Sequence, residues 1–413
     1  MRGTIKFSKH KEQVVILYIS TLLGVLLGVI SSVINTRFLT PSDYGDVRYV
    51  QNIINLISSL LVFGYFWSGS RLLAVSDDEQ KSKQIRGVLI IIMLLTVVLM
   101  CISLFACYLF HHQTKPIVAH LFLLSLPVCG YPIFTNYINN VAQGDNQIGR
   151  IALARVLPLL VYIPVAYYVY STFGATSDRL VLLQWGIYSA VLIVVIISTY
   201  PSFKNLRTTF QAVRKENKEY GFQLYLGSII MVATNYLAGI SLGAFNQDNS
   251  EVGFYTLALT VTSPLSLLPA IIGTTYFKEF ASQNKIPNKV FTFTIGISIV
   301  SCILFVLFIR PVVIFFYSEE YSSVGTYAQW MAIGFSIHGI GDMINRYLGS
   351  HGQGKSIRNS SIINGLFKIF GFTILVYWLS TTGAIITNII CSTLYCGVLL
   401  YYYLKYVKAQ TDR

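Results

Sequence analysis

Charge is what this sequence has least of. Asp, Glu, Lys and Arg supply 11% of its 413 residues, against the roughly 25% of a soluble domain. So few ionised side chains cannot solvate a chain of this length, and an assembly of soluble domains is excluded. Acids are scarcer than bases, 17 Asp and Glu against 30 Lys and Arg, for a net charge of +13. Cysteine is sparse as well. Cys101, Cys107, Cys129, Cys302, Cys391 and Cys396 all lie in apolar runs, so neither a disulfide framework nor a metal site is expected, and the six read as small buried hydrophobes. Long polar connections are missing too: the longest, 201–220, is too short to form a soluble domain.

What fills the chain is hydrophobic sequence, 54% of all residues. A spanning helix needs roughly 20 mostly apolar residues. Twelve such runs follow one another at 14–34, 47–69, 87–110, 117–141, 151–169, 180–200, 221–245, 252–277, 290–309, 327–348, 360–379 and 384–404. The second, eighth and tenth are the least hydrophobic. The first is too long for the apolar region of a signal peptide and no small-residue cleavage site follows, so it reads as an uncleaved span.

Orientation follows from the Lys/Arg bias. With the amino terminus inside, the inner segments carry 22 Lys and Arg, the outer segments four, and the helices the remaining four. Both termini are therefore expected in the cytoplasm. The basic balance reflects membrane topology, so membrane lipids are expected as partners and nucleic acid is not. Seven acids fall in the outer segments. Phe203, Leu206, Phe210 and Val213 share one helical face among Lys204, Arg207, Arg214 and Lys215, which suits an amphipathic helix on the inner leaflet or a solvated basic loop. The expected architecture is an all-α polytopic membrane protein of about twelve transmembrane helices. It comprises a six-helix bundle over 1–200, a cytoplasmic amphipathic linker over 201–220, and a second six-helix bundle over 221–413.

The two bundles carry an internal repeat. SDYGDV (Ser42 to Val47) matches SEVGFY (Ser250 to Tyr255) in Ser, an acid and Gly, at an offset of 208. Gly144 and Arg150 match Gly352 and Arg358 at the same offset, as Lys81 matches Lys289. Six helices per half preserve orientation, which makes the repeats parallel. In transporters of that plan the substrate site lies where the halves meet. GSHGQGKS (Gly349 to Ser356) fits the nucleotide-binding pattern G-x-x-x-x-G-K-[ST], but that pattern works between a strand and a helix of an α/β domain. Here it is a short inner turn, and no ATP site or other cofactor is expected.

Ionisable residues inside the spans are the features most informative about function, because each costs about 2.5–3.5 kcal/mol at a helix centre on insertion scales. Four are cations, Arg48, Arg155, Arg346 and Lys368, and one is an acid, Asp342. Lys368 sits about 12 Å into its helix, too deep for easy snorkelling, with Asn364 one turn before it. Arg155 and Arg346 are shallower, and Arg48 lies at the outer end of the second span, where Asn52 and Asn55 continue its face. Each of these arginines fits an interfacial anchor as well as a cavity wall. The tenth span aligns His338, Asp342 and Arg346 at i,i+4 spacing with Asn345 beside them. That stripe is either an internal ion pair of Asp342 with Arg346 or a wet cavity wall whose Asp342 and His338 couple to an ion. Cations for phosphate and amides for hydroxyls fit an anionic, sugar-bearing cargo.

The stretch FLTPSDYGDVRYVQNIINLISSLLVFGYFWSGSRLLA, residues 38–74, resembles the opening helix pair of Wzx-type O-antigen flippases. These are polysaccharide biosynthesis proteins of the multidrug/oligosaccharidyl-lipid/polysaccharide (MOP) exporter superfamily. FFYSEEY (Phe315 to Tyr321) resembles a second recurring feature of that superfamily. The resemblance implies a MATE-like pair of six-helix repeats in a bacterial inner membrane. It also implies alternating access around a cationic cavity, driven by a proton or sodium gradient. The cargo it implies is a polyprenyl-diphosphate-linked oligosaccharide of O-antigen or lipopolysaccharide biosynthesis, with the polymerase and chain-length proteins of the same pathway as partners. Two alternatives stay open: a MATE-like drug exporter, which would want acids in its cavity, and a membrane-embedded glycan polymerase or glycosyltransferase, for which Glu319 and Glu320 are the paired outer acids.

Overall fold

The computed structural model describes residues 2–411. Met1, Asp412 and Arg413, the extremes of the two tails expected in the cytoplasm, lie outside the described residues. Among the described residues there is no strand. The helices are α1 (Arg2–Phe38), α2 (Pro41–Leu61), α3 (Tyr65–Ala74), α4 (Glu79–His111), α5 (Pro116–Ser125), α6 (Tyr131–Gly144), α7 (Ile148–Phe173) and α8 (Ser177–Ile197). They continue with α9 (Leu206–Glu216), α10 (Phe222–Phe245), α11 (Ser250–Thr262), α12 (Pro264–Thr275), α13 (Asn288–Tyr317), α14 (Ser322–Ser350), α15 (Gly354–Phe370) and α16 (Val376–Thr411).

Among the described residues, eight helical stretches are long and apolar enough to cross a membrane, and α2 with α3 adds a ninth as a pair bent by 58°. The other expected spans depart from the simple pattern for visible reasons. Pro127, Gly130 and Pro132 surround the turn that divides the fourth run into α5 and α6. The tenth run, α14, is long but polar. Residues 354–410 form a 57-residue stretch, roughly 85 Å if straight, which no bilayer accommodates. Ser380, at φ 50, breaks it between the eleventh and twelfth runs.

By contact density the chain divides into one unit of Met1–Leu39 with Val50–Ala233 and a second of Thr40–Tyr49 with Thr234–Arg413. In the first, α7 packs along α1, and Tyr162 donates to Asn35 Oδ1 (2.5 Å) inside that contact. Arg86 Nε donates to Asp145 Oδ2 (2.8 Å) and Nη1 to the Thr199 carbonyl (2.8 Å). Both partners of this ion pair are almost wholly buried, although each sits at a helix end that the sequence presents as loop.

The bend between α2 and α3 frees backbone carbonyls that lipid cannot solvate. Phe63 and Gly64 take positive φ there, and the segment after α9 meets the break. Tyr225 donates to the Leu60 carbonyl (2.8 Å), and Asn217 Nδ2 to the Phe63 carbonyl (3.1 Å) while its Oδ1 accepts from Ser68 (2.9 Å). Arg71 pairs with Glu216 at 2.8 Å. Helix α9 forms within the 201–220 segment and buries Thr209 and Val213, while Phe203 and Phe210 stay exposed. Asn217→Ala leaves the part-buried Phe63 carbonyl without its side-chain donor, while Ser68 keeps the Gly64 carbonyl as acceptor (3.2 Å), so stability should fall by about 1–3 kcal/mol. Thermal unfolding of the purified protein checks this, with Lys218→Ala, a change at the neighbouring exposed position, as the neutral comparison.

In the second unit α14 is the hub, contacting α11, α12, α13 and α16. A helix surrounded by protein needs no lipid-facing apolar coat, which explains why its run is polar. The repeated motif also meets itself in this unit. Gly45 of α2 lies against the Asn249 carbonyl, and Gly253 of α11 lies against Gly45. Ser42 donates to Asp248 (2.7 Å) and Asn249 to Asp46 (2.5 Å) across the crossing. Residues at equivalent repeat positions, 45 and 253, are thus the two that touch.

Candidate functional site

The polar stripe of α14 faces α16 and is organised by a residue the sequence reading did not single out. Tyr395 of α16 donates its phenol proton to Asp342 Oδ1 (3.0 Å) and accepts from Asn345 Nδ2 (2.8 Å). The His338 ring stacks on Tyr395, centroids 4.5 Å apart and planes at 21°. Gly341 permits this approach, because a Cβ there would lie 2.9 Å from the Tyr395 ring. The ion pairs among the described residues do not include Asp342, Arg346 or Lys368, so the Asp342–Arg346 bridge weighed from i,i+4 spacing does not form. Arg346 is exposed, and its stem lies over Gly273 of α12.

Lys368 of α15 is half-buried and within electrostatic reach of Asp342 and Cys391. Asn364, one turn earlier, is 8% exposed, and its side-chain carbonyl is buried without a hydrogen-bond partner. Helix α15 then runs into a wide turn at Gly371–Leu375, a local widening often found at functional sites. One locus in the second unit therefore gathers Asp342, His338 and Asn345 around Tyr395, with Lys368 within electrostatic reach of Asp342 and His338, and Asn364 and Arg346 a turn away along their helices. It offers an acid, a titratable imidazole and a cation together, next to an amide oxygen that awaits a donor.

The other candidates lie elsewhere. Arg155 Nη1 donates to Thr21 Oγ1, and its aliphatic stem covers Gly24, so in the first unit it ties α7 to α1. The Arg48 guanidinium sits 4.6 Å from the centroid of the Tyr44 ring, and Tyr44 in turn meets the edge of Tyr321 from the FFYSEEY stretch. Asn52 and Asn55 are half-buried on α2 and belong to the first unit, whereas Arg48 belongs to the second. Tyr395 had one sequence signal: it sits near the centre of its run, away from the interfacial depth where most tyrosines anchor. The six cysteines are free thiols. The GSHGQGKS run joins the end of α14 to the start of α15.

Comparison with known proteins places this arrangement. A family model described as "Polysaccharide biosynthesis protein" matches residues 11–277. No curated protein sequence matches the chain. Among solved structures, an inward-facing multidrug resistance MATE family transporter of the MOP superfamily is similar with a TM-score of 0.71 at 16% identity, over 97% of this chain and 99% of that one. The lipid II flippase MurJ in an inward closed conformation is similar with a TM-score of 0.70 at 14% identity, over 94% of this chain and 87% of that one. At these identities the likeness is one of fold, an all-α polytopic membrane architecture of the MATE and MurJ type.

Proposed function

The chain belongs to the polysaccharide biosynthesis protein family, and from that membership we propose that it is a flippase for polyprenyl-diphosphate-linked oligosaccharide. The cargo, an O-antigen or similar repeat unit, passes from the cytoplasmic to the periplasmic leaflet of a bacterial inner membrane by alternating access. The observation that carries this reading is Lys368, a cation within a span with no ion-pair partner among the described residues and the unpartnered carbonyl of Asn364 one turn away. A diphosphate supplies the charge that Lys368 lacks, and sugar hydroxyls supply donors for the Asn364 carbonyl. Arg346, exposed one turn beyond Asp342 on the same helix, is the second cation on the cargo's path. Arg155, held by Thr21 in the first unit, and Arg48, held over Tyr44 in the second, are further cations proposed to meet the diphosphate.

Asp342 and His338 are the proposed coupling pair. While ionised, Asp342 accepts from Tyr395 and competes with the diphosphate for Lys368. A proton on Asp342 or His338 alters these contacts and biases the switch between the inward-open and outward-open states, shifting the equilibrium only by its differential affinity for the two. Sodium would act through the same carboxylate.

The test is translocation of polyprenyl-diphosphate glycan in vesicles containing the purified protein, read by the access of an external glycosidase. Transfer should depend on the protein and quicken under a proton or sodium gradient. Transfer at the protein-free rate overturns the flippase, and equal transfer with and without either gradient removes the coupling. Asp342, the acid of the tenth run, is the feature that favours a MATE-like drug exporter instead. Gradient-driven uptake of a cationic dye by the same vesicles, without glycan transfer, would establish that reading.

A further inference from the structure

At the start of α2 and α11 the second unit opens a cleft of about 550 Å³ whose lining includes Ser42, Gln247, Asp248, Ser250, Glu251 and Phe254. Its size falls within the range of about 300–1,000 Å³ that holds small ligands. The lining contains no Lys or Arg, although the chain as a whole carries 30 of them. Two of the outer acids, Asp248 and Glu251, line it, and Asp43 follows Ser42 of the lining in sequence. Phosphate is therefore repelled here. A metal ion is not favoured either, since the described residues hold no cluster of three or more His, Cys, Asp or Glu able to ligate one. A neutral, hydroxyl-rich ligand remains.

The lining is built for one. Phe254 offers a ring face, and Tyr321 fixes that ring by an edge contact at 5.9 Å and 87°. Glu251 is held through Oε2 by Tyr327 (2.9 Å) and Thr381, while Oε1 accepts no hydrogen bond among the described residues. Asp248 is held by Ser42 (2.7 Å) and Ser250 (2.5 Å). Burial raises the proton affinity of Asp248, but the bonds from Ser250, Ser42 and the backbone outweigh it and hold the carboxyl below its ordinary range, so it stays an ionised acceptor. Gln247 is exposed, and its side chain makes no hydrogen bond among the described residues. Fixed acceptors, one uncommitted amide and an immobilised aromatic face match the hydroxyl edge and C–H face of a pyranose ring.

We infer that this cleft is an exit subsite that binds one sugar ring of the cargo at the end of the spans that the Lys/Arg bias assigns to the periplasm, an inference that rests on the flippase reading above. It sorts the cargo by charge: the glycan is held among acids and hydroxyls, while the diphosphate is held back at the cations.

The experiment uses the full chain in lipid nanodiscs. The probes are the methyl glycosides of glucose, galactose, rhamnose, N-acetylglucosamine and N-acetylgalactosamine, each at millimolar concentration, observed by saturation-transfer NMR. At least one glycoside should bind. Gln247→Ala, which removes no hydrogen bond among the described residues, should weaken it about three- to tenfold, the worth of one hydrogen bond to a neutral partner. Phe254→Leu should weaken it further. Binding unchanged in both variants, or no binding of any glycoside, overturns the subsite. Glycan translocation without glycoside binding removes the subsite and leaves the flippase standing. Cleft-dependent glycoside binding without translocation does the reverse.

Discussion

Replacing Lys368 with Ala is expected to leave the protein in the membrane at normal abundance while lipid-linked glycan accumulates unexported, with transport reduced about 100-fold. Truncating one partner of a buried, hydrogen-bonded charge pair costs about 2–5 kcal/mol, and each 1.4 kcal/mol is about tenfold. Without cargo Lys368 has no ion-pair partner among the described residues, so its charge is held inside the bilayer at a standing cost. Removing it should make the empty protein more stable, and Lys368→Met, which keeps the stem and loses the charge, should show a higher unfolding temperature together with the transport defect. A residue that weakens the fold while serving the activity gives that opposed pair of results. Lys368→Arg should restore part of the transport, because it keeps the charge but presents it as a planar fork. Mass spectrometry of extracted lipid-linked glycan and thermal unfolding supply the two readouts. Normal export by Lys368→Ala would remove the flippase assignment at its foundation.

The contrast between Lys368 and Arg155 shows what sequence can and cannot reveal about a buried charge. Depth in a span is countable, and it singles out Lys368, which the fold leaves half-buried. It does not reveal a neighbour 134 residues away, and Arg155 finds one in Thr21. The all-α, many-span architecture was legible because most of the runs are long and apolar enough to cross a bilayer by themselves. Two breaks were also legible in principle: Pro127, Gly130 and Pro132 flag the turn after α5, and Pro264 stands at the start of α12. The bend at Phe63 was not, since Phe is an unfavourable residue for positive φ and only the partners Asn217 and Tyr225 make the bend tolerable. Tyr395 escaped notice because it is one of 28 tyrosines, and only the packing of α14 on α16 gives it Asp342, Asn345 and His338 at once. The repeat was the best long-range signal. Its offset of 208 predicted a relation between positions 45 and 253, and in the fold those glycines are in contact.

That contact yields the second large effect. Gly45→Ala should abolish the folded protein or lower its stability by more than about 3 kcal/mol, beyond the usual range for overpacking. The added Cβ would lie 1.9 Å from the Asn249 carbonyl oxygen and 2.5 Å from its carbon. Both are backbone atoms, so no side-chain rotation relieves the collision. Asn249 cannot retreat easily either, because its side chain is 2% exposed and bound to Asp46. Gly253→Ala is the informative comparison. A Cβ there meets the Pro41 carbonyl at 3.1 Å and Gly45 at 3.3 Å, distances that a shift of a few tenths of an ångström relieves, and Ala favours a helix over Gly by about 0.8–1 kcal/mol. Its net effect should stay within about 1 kcal/mol. Size-exclusion profiles and unfolding temperatures of the two variants in one detergent decide the matter. Equal unfolding temperatures would show that the two copies of the motif cross symmetrically. A collapse confined to Gly45→Ala would show that the first copy alone bears the close approach, so that evolution of the repeat is free at 253 and fixed at 45.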